Sequence, residues 1–307
     1  MSATPLRCSS VLVAELRDVG VVVVTHNSAS DVLTALNALP LAALHGVVVV
    51  DNGSADGTPD LVGECGLPSV SLFRQENLGF GAGCNAGSRV LPDAPYLLFL
   101  TPDAIVRDAD LRVLLEYLVG HPAAAVVAPR LWRGDEPLTS AGFIATLPSE
   151  LKFALPPFLG RRFPDRRLPA TLARSGPVGM VEGACLLVDA AAWRAVGGFD
   201  ERYFLFFEEH DLARRLAAVG REEHLCAEAR AEHAVGSSRA TTPLASHDYY
   251  WGSAMLYVRL WGPPGGARVL GLAARAGWLW ARLRGRLTRA DADRLRRGLA
   301  TGGRPAP

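Results

Sequence analysis

Lysine is all but missing from this chain. Lys152 is the only one, and every other fixed cation is arginine. With so much alanine and glycine alongside, this reads as a bias of coding rather than as chemistry. Charge of one sign is missing too: 32 Lys and Arg face 31 Asp and Glu, a net of +1, so no global field calls for nucleic acid or another polyanion as partner. Cysteine is sparse. The five present (Cys8, Cys65, Cys84, Cys185 and Cys226) are odd in number and scattered, and no CxxC pair exists, which argues against a zinc knuckle or a disulfide framework. That usage fits a reducing cytosol. No stretch approaches the roughly 20 uninterrupted apolar residues of a membrane span. The first apolar block, residues 19–24, is strand-sized and follows no charged leader, so a cytoplasmic protein is expected.

What is present is a run of short apolar blocks, each closed by turn residues. Residues 20–24 (GVVVV) lead into Thr25-His26-Asn27, residues 46–50 (GVVVV) into Asp51-Asn52-Gly53-Ser54, and residues 96–100 (YLLFL) into Thr101-Pro102-Asp103. Blocks this apolar, without polar alternation, suit strands buried on both faces of a parallel sheet. Between the first two, Ser28 is placed to cap a helix from about Ser30 to Leu39, which Pro40 follows. The β-α-β order predicts an α/β, doubly wound, mostly parallel Rossmann-like sheet over residues 19–130. Polar residues then gather beyond the strand C-termini, where such sheets bind ligands. From Gly134 to Gly179 seven prolines break the pattern, predicting a long functional loop with Arg161, Arg162, Arg166 and Arg167 exposed. A buried strand returns at Ala184 to Val188, and after Pro243 the composition turns to Trp, Leu and Arg.

Five constellations could carry chemistry. Residues 51–58 (DNGSADGT) are a strand-end carboxylate followed by a tight turn and a helix cap, or else Asp51 meets a base or ribose. Residues 76–87 (ENLGFGAGCNAG) combine glycines that let backbone approach a ligand with the amides of Asn77 and Asn85; Gly79, Gly81 and Gly83 have neither Walker nor G-x-G-x-x-G spacing. Asp103, just past a buried strand, suits Mg²⁺ or Mn²⁺ on a diphosphate, or is simply a turn residue after Pro102. In residues 197–216, apolar and aromatic side chains run into Glu208, Glu209 and Asp211. Carboxylates crowded against apolar surface should have a raised pKa, useful in a general base; the alternative is an acidic first helical turn. His233, ahead of Gly236-Ser237-Ser238, is a structural histidine or a ligand.

Taken in order, these pieces resemble family 2 glycosyltransferases of the GT-A fold, in particular the bacterial rhamnosyltransferase-like branch. The resemblance rests on THN at 25–27, DNGSADGT at 51–58, ENLGFGAGCNAG at 76–87, TPD at 101–103, GACLLV at 183–188, GGFDERYFLFFEEHDL at 197–212 and H-x-x-G-S at 233–237. It implies an inverting, metal-dependent transferase moving a sugar, rhamnose by first expectation, from a nucleotide-diphosphate donor to a glycan or lipid-linked acceptor in envelope or polysaccharide synthesis. Thr25, Asn27, Asp51, Asn77, Gly79, Asn85 and Thr101 would line the nucleotide-sugar pocket. Asp103 and His233 would hold Mg²⁺ or Mn²⁺, and Glu209, supported by Glu208 and Asp211, would be the base. Two residues depart from the branch: Thr101 replaces its usual Asn, and Glu209 replaces the Asp of its Glu-Asp pair. A methylene moves a carboxylate by about 1 Å, enough to cost on the order of 10²-fold, which leaves an impaired nucleotide-sugar binding protein as the alternative. A sugar nucleotidyltransferase would need a G-x-G-x-R loop and a nearby Lys, and His26-Asn27-Ser28 supplies neither.

The implied division is an N-terminal extension at 1–18, a catalytic domain at 19–242 (nucleotide-sugar half 19–130, acceptor half 131–242), and an Arg-rich helical extension at 243–307. From Trp261 onward ten Arg face only Asp291 and Asp293, a net of +8. Arg268, Arg275, Arg282, Arg289 and Arg296 recur every seven residues, one slowly drifting helical stripe. Val269, Leu272, Ala276, Trp280, Leu283 and Leu287 form a second. Either residues 262–297 rest on the inner face of the plasma membrane, or the helix packs on the catalytic domain or on a second copy in a homodimer.

Overall fold

The computed structural model describes residues 14–67, 69–170, 174–234, 243–285, 288 and 291, with the side chains of 243–247 left aside. After a 3-10 turn at Leu16–Asp18 the chain alternates β1 (Val19–Thr25), α1 (Val32–Ala38), β2 (Gly46–Asn52), α2 (Thr58–Glu64), β3 (Val70–Gln75), α3 (Phe80–Val90) and β4 (Tyr96–Leu100). These strands lie parallel in the order β3-β2-β1-β4. The valine blocks do what their composition requires: β1 is buried throughout, with Val21, Val23, Val47 and Val49 on one face of the sheet and Val22, Val24, Val48 and Val50 on the other. The edge strand β3 carried no clear signal, because Ser71, Arg74 and Gln75 interrupt it and its outward positions face solvent.

The second half adds β5 (Ala104–Val106), α4 (Asp108–Gly120), β6 (Ala124–Arg133), β7 (Glu136–Pro137), β8 (Ala141–Gly142), α5 (Leu147–Ala154), α6 (Pro157–Gly160), β9 (Gly176–Val178), β10 (Met180–Val181), β11 (Cys185–Asp189), α7 (Ala190–Ala195), α8 (Glu208–Ala218) and β12 (Glu222–His233). The sheet continues from β4 through β11, β6, β12 and β5. It is mixed: β11 runs antiparallel to both β4 and β6, while β12 and β6 are parallel. The apolar run of β11 fixed its burial but carried no information on its direction.

The segment expected to be one long loop, 134–179, is partly ordered into short elements. Thr146 caps α5, its Oγ1 accepting from Ser149 N at 3.3 Å while Thr146 N donates to Ser149 Oγ at 2.9 Å. Arg166, expected to be exposed, is largely buried: its guanidinium donates to the fully buried Glu150 at 2.9 Å and lies over the rings of Phe153 and Phe207. Arg161, Arg162 and Arg167 do face solvent.

Two helices follow, α9 (Pro243–Trp261) and α10 (Gly266–Leu283). They do not stand apart from the rest of the fold. Trp251, Met255, Tyr257, Val258, Leu270 and Ala274 share one apolar cluster with Ala145, Ala154, Tyr203 and Phe207.

Helix α3 approaches the sheet through glycines one turn apart. A methyl on Gly83 would lie 2.6 Å from Val24 Cγ1, and one on Gly87 would overlap Val22 Cγ1. Gly87→Ala should therefore lower the unfolding free energy by about 1–3 kcal/mol through overpacking, despite alanine's better helix propensity. Gly120→Ala, where an added methyl meets nothing within 4 Å, should cost nothing. Urea midpoints of the two variants test the difference.

Candidate active site

The C-terminal ends of β1, β2 and β4 open on one side of the sheet, and the loops after β1 and β2 are tied together. In the β1/β2 register Thr25 sits beside Asp51, and Thr25 Oγ1 donates to Asp51 Oδ1 at 3.2 Å. Asn27 N donates to Ser54 Oγ at 2.8 Å, Ala55 N to Asn27 Oδ1 at 2.8 Å, Ser28 N to Thr58 Oγ1 at 2.9 Å and Ala29 N to Asp56 Oδ2 at 3.0 Å. Asn27 adopts a left-handed φ of 52°, which asparagine tolerates. Asp51 is buried and accepts from Ser54 N at 3.1 Å and from Ser54 Oγ. Much of the bonding capacity of Thr25, Asn27 and Asp51 thus ties the two loops to each other, and the expected turn is realised, while the N-cap of α2 is Gly57, which offers no side-chain cap.

The glycine-rich segment differs from its expected use. The space that Gly79 leaves open, at φ 99°, is filled by the backbone of Phe204, whose carbonyl accepts from Phe80 N at 3.2 Å. Gly81 makes room for the Phe199 ring and Gly83 for Val24. These glycines let the molecule approach itself. Asn77 closes a local turn, its Oδ1 accepting from Gly79 N at 3.2 Å. Asn85 clamps Phe199 from both sides, accepting from its N–H at 3.0 Å and donating to its carbonyl at 2.9 Å, with a further bond to Glu201 at 3.0 Å. Its amide is occupied by the 198–201 turn and reaches the ligand side only through that packing. A cavity of about 520 Å³ lies beside Asn85, Arg89, Trp193 and Arg194, but none of Thr25, Asp51, Asp103, Glu209 or His233 lines it.

Asp103 and His233 come together from residues 130 apart in sequence. β5 pairs with β12 so that Ala104 faces His233, Ala234 N donates to the Asp103 carbonyl at 3.1 Å, and His233 Nε2 lies 3.4 Å from Asp103 Oδ2. Burial pushes the Asp103 carboxyl up, but hydrogen bonds from His233 and Thr101 offset it and hold the group below the usual carboxylate range. Thr101 also donates its backbone N–H to Ala184 O at 3.0 Å, so it links β4 to the residues just before β11. No group of three His, Cys, Asp or Glu placed to hold a metal occurs among the described residues.

The acidic run at the start of α8 separates into different tasks. Asp211 is buried and clamped by Arg215 Nε at 2.7 Å and Trp261 Nε1 at 2.8 Å, which joins α8 to α9 rather than presenting a carboxylate to the groove. Glu208 is buried, and its Oε2 finds no hydrogen-bond partner. Burial first, and the neighbouring Glu209 second, raise its pKa well above the usual carboxylate range. Glu209 is partly exposed, and Gly183 seats it: a methyl there would overlap Glu209 Oε1, and the Gly183 N–H donates to that carboxylate. Burial first, and Glu182 second, raise the Glu209 pKa to about 7, against the opposing charge of Arg166. Phe206 and Phe207 precede this turn with left-handed φ of 70° and 69°, a strained backbone for aromatic residues, held by packing of Phe207 on Tyr250 and Tyr257. Glu182, Gly183 and Arg166 had no assigned part in the sequence reading. Only Gly183 had a signal, standing at the head of the GACLLV block.

Four parallel strands joined to a mixed second half, with an acid pair and an Asp-His pair at the seam, define a GT-A glycosyltransferase fold. Residues 20–169 match the family described as Glycosyl transferase family 2, and the chain belongs to that family, within its rhamnosyltransferase-like branch. It is 31% identical over 223 residues to the N-acetylglucosaminyl-diphospho-decaprenol L-rhamnosyltransferase of Mycobacterium tuberculosis, covering 65% of this chain and 70% of the relative. Among solved structures it is similar to the mannosyltransferase PcManGT from Pyrobaculum calidifontis in complex with GDP-Man and Mn²⁺, with a TM-score of 0.54 at 18% identity over 94% of this chain and 81% of that one. A similar match, TM-score 0.56 at 15% identity, is GalNAc-T7 with UDP, GalNAc and Mn²⁺; it covers 71% of this chain but 44% of that one.

The raised Glu209 pKa gives a pH prediction. If turnover requires ionised Glu209, it should rise as pH passes through about 7. Glu182→Gln removes a charge that disfavours ionisation and should move this limb to lower pH. A pH profile of kcat for the two proteins measures it, and coincident limbs would count against Glu209 as the titrating group.

Proposed function

We propose that this chain transfers rhamnose from a deoxythymidine-diphosphate donor to a hydroxyl of a lipid-linked glycan acceptor, with inversion at the anomeric carbon. The observation that carries the reading is the meeting of two pairs across one seam: Asp103 with His233, and Gly183 with Glu209, joined by the Thr101–Ala184 bond. The choice of sugar and acceptor leans on the named activity of the mycobacterial relative.

The loops at 25–29 and 51–58 form the donor pocket, with Asn77, Gly79 and Asn85 holding its far wall. Asp103 and His233 suit a divalent cation: a ligand separation of 3.4 Å is near the about 3 Å expected for adjacent positions at metal–ligand bonds of about 2.1 Å. Two protein ligands are the number a diphosphate-bound Mg²⁺ or Mn²⁺ takes, the rest being phosphate oxygens and water. When bound, the cation neutralises charge on the leaving diphosphate. Glu209 accepts the acceptor's hydroxyl proton as that oxygen bonds to the anomeric carbon, and the bond to the diphosphate oxygen breaks on the opposite face. Glu208, buried beside Glu209 with a raised pKa, is disfavoured as a second carboxylate. Gly183 leaves the room in which the Glu209 carboxylate sits, where a methyl would overlap Oε1, which supports Glu209 in the place of the branch's usual Asp.

Asp103→Asn should abolish turnover and, because the pair with His233 is lost, lower the unfolding midpoint slightly while the far-UV circular dichroism of the folded protein is unchanged. It should also remove the Mn²⁺-dependent part of the thermal shift given by the donor. Glu209→Gln should lower kcat by about 10² or more and leave donor affinity unchanged. Full activity of either variant would overturn its assignment, and a dead Glu208→Gln beside an active Glu209→Gln would move the base by one residue.

A further inference from the structure

Helix α10 packs on the protein through its small residues. Gly266, Leu270, Gly271, Ala273 and Ala274 are buried, and Gly277 lies against the carbonyl of Ala154 in α5. The row of larger apolar residues points the other way. Val269 is 48% exposed, Leu272 64%, Leu279 59% and Leu283 78%. Arg268, Arg275 and Arg282 flank this row on the same exposed side. From the two stripes read in the sequence, Val269, Leu272, Ala276 and Leu283 indeed share this outward face, whereas Trp280 turns partly inward toward Phe158, and Leu287, Arg289 and Arg296 lie outside the described residues. The fold therefore has no use for the leucine row.

We infer that the outward face of α10 lies on an anionic phospholipid bilayer surface, with its leucines in the acyl boundary and its arginines at the headgroups. Charge chooses this occupant. Residues 262–285 contain four arginines and no carboxylate, so a second copy docked through the same face would bring the arginine row no partner. Phosphate headgroups would, and the leucines alongside match the composition of an interfacial helix. No helix among the described residues is long and apolar enough to cross a membrane, so the contact lies along the surface. The face is also continuous with the acceptor side. Phe158, 50% exposed, lies tilted against Trp280 with ring centroids 6.3 Å apart, Arg161 and Arg162 follow it into solvent, and Arg166 of the same segment reaches the Phe207 ring two residues before Glu209. A surface-bound α10 would thus hold the candidate base near the plane where a lipid-linked hydroxyl is presented. Binding itself needs no turnover, so it stands or falls apart from the catalytic reading.

Co-sedimentation of the full chain with phosphatidylcholine vesicles, with and without phosphatidylglycerol, tests it. Binding is expected only with phosphatidylglycerol and should weaken as salt rises. The triple variant R268Q/R275Q/R282Q should lose on the order of 10²-fold in partitioning, and L272S/L279S/L283S should lose binding at an unchanged unfolding midpoint, since these side chains are exposed. The inference is overturned if the full chain ignores anionic vesicles at low salt, or if the serine variant binds as well as the parent. It is equally overturned if sedimentation velocity shows a concentration-dependent dimer that the serine variant dissolves, which would give the face to a second copy.

Discussion

The β4/β11 pairing is the contact on which the rest of the site depends. Its antiparallel register sets Cys185 against Leu100, so Gly183 and Ala184 fall beside Thr101. From that one seam the Asp103–His233 pair hangs on one side and the Glu209 carboxylate on the other. The first half of the chain cannot build this alone, because its four parallel strands end in loops that mostly satisfy one another. The second half cannot either, because its acids need the wall that β4 provides.

Burying acid is the local cost of this arrangement. Glu208, Glu209 and Glu223 all have raised pKa values from burial. Glu223 is answered by one hydrogen bond from Val181 N at 2.9 Å, and Glu209 by Gly183 and the nearby charge of Arg166. Arg166 is held in turn by Glu150, which also accepts from Tyr250 Oη at 2.6 Å. A cation fixed inside the segment 156–170 therefore tempers a carboxylate at the head of α8. The left-handed Phe206 and Phe207 belong to the same constraint, since they turn the chain so that Glu209 meets Gly183 while Glu208 enters the core.

The C-terminal helices take part in this. Trp261 Nε1 bonds Asp211, Tyr257 Oη accepts from Arg214 Nε at 2.6 Å, and Ser253 Oγ donates to Leu205 O at 2.8 Å. What looks in sequence like an appended segment is thus the outer support of α8. Because the inward contacts are complete with Trp251, Met255, Val258, Leu270 and the small residues of α10, Leu272, Leu279 and Leu283 are left over for a surface outside the fold.

The sequence alone determined the buried valine strands, their β-α-β alternation and the ordered motifs that mark the family, because apolar periodicity and turn chemistry are local. Strands with uniform burial, such as β1 and β2, announce themselves; β3 and β12 do not, since edge exposure and charges such as Glu222, Glu223 and Glu228 blur the pattern. Asp103, His233 and Glu209 were legible as residue types, each at a strand or helix end. Their juxtaposition was not, because it is set by strand register between segments 80 to 130 residues apart. Glu209 was singled out from Glu208 and Asp211 by resemblance; only the tertiary structure showed what surrounds each carboxylate. It also showed that the glycines of residues 79–87 serve close packing, because the partners they approach, Phe204, Phe199, Val24 and Val22, are distant in sequence and near only in space.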